Sequence, residues 1–141
     1  MVIDTSAIVA LLACEPDARR ISLAIENAVN RSVPTIVRLE ATMVLSSRIN
    51  RDPEYVACEV DALLREARVV TTVIDEENVW QASMAFARYG KGRGHPARLN
   101  LADCLIYAAA KRLDAPLLFI GSDFVHTDIV SVLDNPLPIK A

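Results

Sequence analysis

Four carboxylates of this sequence lie in apolar surroundings, where an isolated charge is costly. Asp4 and Asp123 each follow a short apolar run, and Glu40 and Asp103 lie near the starts of two helical segments that contain few other charges. Taking an ionised carboxylate out of water costs several kcal/mol unless a cation or hydrogen-bond donors compensate. We therefore expect such partners beside these four side chains.

Each carboxylate also has an ordinary structural explanation. Asp4 suits the N-cap of the following helix, Asp103 the first turn of its own helix, and Asp123 a turn. Glu40 suits a surface ion pair. If the four meet, however, they repel one another and raise one another's pKa, and a divalent cation removes that cost.

The chemistry expected of such a cluster is metal-assisted hydrolysis. Neither His95 nor His126 has ligand spacing with the acids, so the oxygen ligands favour Mg²⁺ or Mn²⁺ over zinc. Such an ion lowers the pKa of a bound water, positions it for in-line attack and neutralises the leaving oxygen. Hydrolysis of a phosphodiester is the predicted reaction.

Apolar periodicity and turn residues predict alternating strands and helices. Strands are expected at Val2, Val33, Val69 and Leu117, with a short edge strand over 128–132 before a frayed tail containing Pro136 and Pro138. Helices are expected over 7–12, 16–28, 35–49, 54–67, 76–89 and 101–113. Helices 35–49 and 54–67 read as a protruding antiparallel pair.

This order predicts an α/β fold with a central, mostly parallel sheet of about four or five strands flanked by helices. The carboxyl ends of parallel strands share one edge of the sheet, and ligands bind outside that edge. Asp4, Glu40, Asp103 and Asp123 all fall there, so we expect them to converge.

Particular apolar residues are predicted to face the core. In helix 76–89 these are Trp80, Met84 and Phe86, and in helix 35–49 they include Ile36, Leu39, Met43 and Leu45. The three cysteines lie far apart among apolar neighbours, which favours reduced core residues over a zinc site or a catalytic thiol. They are Cys14, Cys58 and Cys104.

Length and composition favour one domain over residues 1–141, in a cytoplasmic protein. Hydrophobic residues make up 52% and aromatic residues 5%, which predicts an aliphatic core. The sequence has no apolar run of membrane-spanning length and no signal-peptide pattern. The net charge of −3 argues against nucleic-acid binding by bulk positive charge, but it does not exclude a metal-dependent nuclease.

Four segments, in order along the chain, resemble the PIN-domain family, and most closely its VapC-type toxin ribonucleases of bacterial toxin-antitoxin pairs. They are Val-Ile-Asp-Thr-Ser-Ala at the amino terminus, Arg-Leu-Glu-Ala at 38–41, Leu-Asn-Leu-Ala-Asp-Cys at 99–104, and Leu-Phe-Ile-Gly-Ser-Asp-Phe-Val-His-Thr-Asp-Ile at 118–129. The resemblance implies a PIN-like three-layer sandwich and RNA as substrate. It also implies a homodimer and a small antitoxin that blocks the acidic site.

Carried over by residue, the resemblance makes Asp4, Glu40, Asp103 and Asp123 the catalytic and metal-binding quartet. Ser6 matches the hydroxyl that orders the site, and Asn100 borders it. Asp128 is acidic in the family's terminal motif, where it either reaches the metal or caps a helix. Ser122 stands where many relatives carry Asn or Asp.

Two features offer hints about partners. The glycine-rich segment 90–99 is expected to be mobile and carries Lys91, Arg93, His95 and Arg98, which either hold RNA phosphates or lie in a solvated loop. Apolar residues of the helix pair, such as Leu45, Val56 and Leu64, suit either a partner groove or ordinary core packing.

Two other function classes remain as alternatives. A haloacid-dehalogenase-type phosphatase needs a second Asp two positions after the first, where this chain has Ser6. A non-catalytic, receiver-type magnesium-binding module would not need Glu40 and would carry a lysine near the acids after the last strands.

Overall fold

Within residues 1–135, four parallel strands and six helices follow one another in the predicted order. The computed structural model describes residues 1–135, so the predicted tail with Pro136 and Pro138 lies outside the described residues. The elements are β1 (Val2–Ile3), α1 (Thr5–Leu12), α2 (Ala18–Asn27), β2 (Ser32–Pro34), α3 (Thr35–Ile49), α4 (Pro53–Glu66), β3 (Val70–Thr72), α5 (Glu76–Tyr89), α6 (Leu101–Arg112) and β4 (Leu117–Leu118). The predicted α/β fold class is confirmed.

The sheet has the strand order β3-β2-β1-β4. Val2 of β1 pairs with Ser32 on one side and with Leu117 on the other, and Val2 and Ile3 are fully buried. The edge strand predicted over 128–132 is reduced to a single parallel bridge between Leu117 and Ser131. Along the chain, β2 and then β3 are added on one side of β1, and β4 is added last on the other side of β1.

Because the order of strand addition reverses at β1, a crevice lies between the carboxyl ends of β1 and β4. Such switch points are where ligands bind in open α/β sheets. The backbone N–H of Asp4 donates to the carbonyl of Leu118 (2.9 Å), so the residues that follow the two strands are neighbours. α6 runs back toward the start of β4, which places its amino-terminal residue Leu101 at the same edge.

The core face of α5 is not the predicted one. Trp80, Met84 and Phe86 are 61%, 47% and 46% exposed, and the buried face carries Asn78, Ala82, Ala85 and Tyr89. α5 packs on α6, whose buried residues include Ala108, Ala109 and Ala110. The small Ala82 and Ala85 on the buried face of α5 allow close packing, and the bulky side chains lie outside that face.

The inward face of α3 also departs from expectation. Leu39 and Met43 are exposed, because α3 turns the face with Val37, Ala41 and Leu45 inward. Leu45, Val56 and Leu64 are at most 3% exposed, so they belong to the core and not to a partner groove. α3 carries apolar residues on both sides, and periodicity alone did not separate them.

The glycine-rich segment is closed by backbone hydrogen bonds. Lys91 N–H donates to the carbonyl of Leu99 (3.0 Å), and Leu99 N–H donates to the carbonyl of Tyr89 (2.9 Å). Ala97 and Leu99 are buried, so the carboxyl end of this segment packs against the core.

Two of the three cysteines are not core residues. Cys104 is buried, whereas Cys14 and Cys58 are exposed and all three are free thiols. Among residues 1–135, no helix is long and apolar enough to cross a bilayer.

Candidate active site

A cleft of about 330 Å³ at the carboxyl edge of the sheet contains all four predicted carboxylates. Asp4 follows β1, Glu40 lies in α3, Asp103 lies in the first turn of α6, and Asp123 follows β4. Ser6 and Asn100, which sequence reasoning placed beside the quartet, also line the cleft. Six residues from distant parts of the sequence therefore meet in this cleft.

Asp4 both caps a helix and faces the cleft. It is the N-cap of α1, and its Oδ2 accepts hydrogen bonds from the Ser6 backbone N–H (2.9 Å) and the Ser6 hydroxyl (2.5 Å). The Ser6 Oγ in turn accepts a hydrogen bond from the Ile120 N–H after β4 (3.0 Å). Ser6 thus connects the segment after β4 to the carboxylate after β1 and fixes the orientation of Asp4.

Asp103 is held by its helix in a similar way. Asn100 is the N-cap of α6, and its side chain accepts from the Asp103 N–H (2.9 Å). The Asp103 Oδ2 accepts from the Asn100 N–H (2.8 Å), which completes a capping box. The reciprocal bonds anchor the carboxylate and leave Oδ1 for another partner.

Glu40 reaches the cleft from the middle of the chain. Its Oε2 accepts a hydrogen bond from the Thr5 hydroxyl (2.5 Å), which couples α3 to the amino terminus of α1. From the sequence, no role was assigned to Thr5, and this contact was missed. A threonine beside an N-cap is common, so no signal in the sequence marked it.

Asp123 is the most accessible member of the quartet. It lies in an exposed turn in which Gly121 adopts a left-handed conformation (φ +91°) that favours glycine. The neighbouring Phe124 is buried against Phe119, with ring centroids 5.3 Å apart. This anchor holds the turn at the rim of the cleft.

Burial and mutual repulsion raise the pKa values of two carboxyl groups in the cleft. Burial raises the pKa of Asp4 to about 6, against the lowering effect of the Ser6 hydrogen bonds, and Glu40 adds a repulsive contribution. Burial also raises the pKa of Asp103 to about 7, and repulsion from Asp4, Asp123 and Glu40 adds to it. Because these surroundings disfavour ionisation of both carboxyl groups, a bound cation would stabilise the site by favouring their charged forms.

The oxygen donors of the cleft are of the kind that Mg²⁺ or Mn²⁺ prefers, although those of the described residues do not form a complete coordination site. Within residues 1–135, no group of three or more His, Cys, Asp or Glu side chains is already arranged to hold a metal ion. The polar side chains that line the cleft are mainly oxygen donors, and Mg²⁺ usually takes only one or two protein carboxylates and keeps its other waters. Asp4 and Asp103, each fixed through one oxygen only, suit that role best.

An ion pair that sequence reasoning missed also lines the cleft. Arg48 of α3 donates from Nη1 to the Glu15 Oε1 at 2.6 Å. The two residues are 33 positions apart and of ordinary type, so only the fold brings them together.

Asp128 lies elsewhere. Its carboxylate accepts hydrogen bonds from the Tyr107 hydroxyl (2.6 Å) and from Lys111 Nζ (3.1 Å), and these bonds hold its pKa below the usual range. Asp128 does not line the cleft. Both oxygens of Asp128 are thus bound away from the cleft, and the residue ties the segment after β4 to α6.

The basic residues of the loop over 90–99 also lie outside the cleft. Lys91 borders a separate apolar groove between α5 and α6, and the Arg93 guanidinium lies 5.9 Å from the centroid of the exposed Phe86 ring. Neither of them, nor Arg98, lines the acidic cleft. Asn100 borders both the groove and the cleft, so the loop is a neighbour of the site and not part of it.

Comparison with known proteins supports one family. A PIN domain model matches residues 1–130. Ribonuclease VapC28 of Mycobacterium tuberculosis is 42% identical over 135 residues, which cover 96% of this chain and 99% of that protein. VapC ribonuclease Mb0640 of Mycobacterium bovis is 43% identical over 132 residues, covering 94% and 98%.

A solved structure has the same fold. The crystal structure of Mycobacterium tuberculosis VapC20, a toxin described as cleaving the sarcin-ricin loop, matches with a TM-score of 0.73 over 92% of this chain and 95% of that one. The two sequences are 16% identical, so this likeness concerns the fold alone.

Proposed function

Since the chain belongs to the PIN-domain family, in its VapC ribonuclease branch, we propose that it is a divalent-metal-dependent endoribonuclease and the toxin of a toxin-antitoxin pair. The observation that carries this proposal is the convergence of Asp4, Glu40, Asp103 and Asp123 in one cleft from four separate elements. The phosphatase alternative gains nothing from the structure, because the hydroxyl of Ser6 lies where a second carboxylate would be needed.

The residues of the cleft have distinct parts in the proposed reaction. Asp4 and Asp103 hold the cation, and Ser6 and Asn100 keep their carboxylates in orientation. A bound Mg²⁺ or Mn²⁺ would lower the pKa of a water and neutralise charge on the leaving oxygen. Glu40 and Asp123, at the margin of the cleft, complete the acidic set and orient waters beside the scissile phosphodiester.

The proposal is tested by incubating the purified chain with single-stranded RNA and, separately, with a small phosphomonoester. Each reaction is run with Mg²⁺, with Mn²⁺ and with excess EDTA. We expect internal cleavage of RNA that EDTA abolishes and that added Mn²⁺ restores. Turnover of the phosphomonoester alone would favour the phosphatase, and metal binding without any turnover would favour the regulatory module.

We further propose that a small antitoxin inhibits the enzyme by covering this cleft. Leu39 and Met43 of α3 are exposed, and these apolar side chains are available to a partner segment. The test is co-expression with the product of an adjacent short reading frame. Stable co-purification with loss of RNA cleavage is expected, and an uninhibited enzyme in such a complex would contradict the proposal.

The remaining family expectations are a cytoplasmic location, where RNA is accessible, and a homodimer. The exposed Trp80 and Met84 on α5 provide apolar surface of the kind that self-association buries. Sedimentation of the purified chain tests the dimer, and a monomer at micromolar concentration would contradict it.

A further inference from the structure

We propose that Arg48 binds a backbone phosphate of the RNA strand that occupies the cleft, and that Glu15 holds its guanidinium ready for this contact. This inference rests on the proposed ribonuclease function, because it names the residue that receives the substrate of that same site. Nothing in the sequence resemblance assigns a role to either residue.

The charges of the cleft show why such a residue is needed. Among the described residues, five carboxylates line the cleft, namely Asp4, Glu15, Glu40, Asp103 and Asp123, and Arg48 is the one cationic side chain among them. A divalent ion offsets two of those negative charges. The strand that enters carries a phosphate at every nucleotide, so the remaining repulsion opposes binding unless a cation faces the strand.

The geometry of the ion pair leaves Arg48 able to bind a phosphate. Glu15 contacts only Nη1 of the guanidinium, and the Arg48 side chain remains 56% exposed. A guanidinium has five N–H donors in a planar fork, so Nη2 and Nε remain free to donate to phosphate oxygens while Nη1 stays on Glu15.

The position of Arg48 on α3 places this contact beside the reacting centre. Glu40 and Arg48 are eight residues apart on the same helix, which is about two turns or 12 Å along its axis. That distance is roughly two nucleotides of an extended strand. Arg48 therefore contacts a phosphate about two nucleotides from the scissile one and does not contact the reacting atoms, which makes it a substrate-positioning residue.

Binding is measured by fluorescence anisotropy with a labelled mixed-sequence RNA of about 12 nucleotides. The Asp4→Asn background prevents cleavage during the titration. In this background we expect Arg48→Ala to weaken RNA binding about tenfold and to reduce the salt slope of log Kd by about 0.7, the value for one phosphate contact on a single strand. The affinity for Mn²⁺, measured by calorimetry on the otherwise wild-type chain, should not fall, because the substitution removes a positive charge from the cleft and no metal ligand.

Two further variants separate a phosphate contact from loss of structure. Arg48→Lys keeps the charge but not the fork, so we expect it to retain the salt slope with an intermediate Kd. Arg20→Ala is the matched control, because it also breaks an exposed arginine-carboxylate pair, with Asp17, outside the cleft. It should bind RNA like the parent.

The outcomes are distinguishable from a failure of the proposed function. If the wild-type chain does not cut RNA with Mn²⁺, the ribonuclease proposal fails. If the wild-type chain cuts RNA but Arg48→Ala has the Kd and salt slope of Arg20→Ala, this inference alone is overturned. A lower affinity for Mn²⁺ in Arg48→Ala would also overturn it, since it would show that the change disturbs the metal site.

Discussion

At the scale of single residues, the carboxylates of the cleft combine a structural and a chemical role. Asp4 and Asp103 each stabilise a helix start through Oδ2 and still present a second oxygen to the cleft. The sequence offered helix capping and metal binding as alternatives, but the structure accommodates both. A cap keeps the carboxylate in one rotamer, and a ligand for a small, hard cation needs that order.

We expect Asp4→Asn and Asp103→Asn to abolish RNA cleavage without unfolding the protein. The asparagine oxygen still accepts the capping hydrogen bonds, while one buried, repelled charge disappears. The free energy of unfolding of the metal-free variants at pH 7 should therefore rise, by about 1–3 kcal/mol. Urea denaturation and an RNA cleavage assay measure the two effects.

The control for this pair is Asp114→Asn, which removes a carboxylate from an exposed turn. Asn tolerates the positive φ of that residue (46°), so stability and activity should both stay near those of the wild type. Loss of the folded state in Asp4→Asn would show that the carboxylate serves the fold alone.

The residues that could be predicted from sequence are those whose type conflicts with their surroundings. Asp4, Glu40, Asp103 and Asp123 drew attention because charge is rare in apolar segments, and the fold places all four in one cleft. Arg48 and Glu15 could not be found in this way, because each occupies a polar stretch in which charge is ordinary. Asp128 was acidic in the right motif, yet Tyr107 and Lys111 bind it outside the cleft.

At the scale of elements, the kind and order of helices and strands were predictable, but the faces of the helices were not. Caps, prolines and β-branched runs are local signals, and they identified the four strands and six helices of the described part of the chain. Which face of α5 is buried depends on its packing against α6, which buries Ala82 and Ala85 and leaves Trp80 outside. That information is not local, so the larger side chains were assigned inward incorrectly.

Ser6 connects two elements at the site, which leads to a further prediction. Ser6→Ala removes the hydrogen bonds from the hydroxyl to Asp4 and from Ile120 N–H to the hydroxyl. We expect a loss of about 1–2 kcal/mol in the free energy of unfolding. Because the hydroxyl lowers the pKa of Asp4, its removal should also move the acid limb of the pH dependence of kcat/KM to higher pH.

Ser122→Ala is the matched control for Ser6→Ala. Ser122 is exposed in the turn after β4 and donates no side-chain hydrogen bond within the described residues. Its substitution should leave both the stability and the pH profile unchanged. An unshifted acid limb in Ser6→Ala would mean that the hydroxyl does not govern the ionisation of Asp4.

At the scale of the whole molecule, the carboxyl groups clustered at one edge of the sheet make the folded state less stable as pH rises toward neutrality. The pKa values of Asp4 and Asp103 are about 6 and 7 in the folded chain and near 3.8 when unfolded. Between these values the folded state binds more protons than the unfolded state, so stability falls as pH rises from about 4 to about 7. Asp75 and Asp128, with lowered pKa values, act in the opposite sense but only below this window.

We therefore expect the metal-free protein to be more stable at pH 5 than at pH 7, by about 2–4 kcal/mol. Saturating Mn²⁺ should reduce or reverse this difference, because it stabilises the ionised carboxylates. Urea denaturation in EDTA and in Mn²⁺ at the two pH values provides the comparison. The double variant with Asp4→Asn and Asp103→Asn should lose most of the dependence, and a wild-type chain that gains stability toward pH 7 in EDTA would contradict the assignment.

The exposed thiol of Cys14 immediately precedes Glu15, which lines the cleft, whereas Cys104 is buried and burial raises its pKa to about 11. In a Cys58→Ser background, a maleimide dye would consequently attach at this one accessible position. Such a conjugate would act as a fluorescent reporter that senses an arriving strand or inhibitor in real time, without any need for the reaction to proceed.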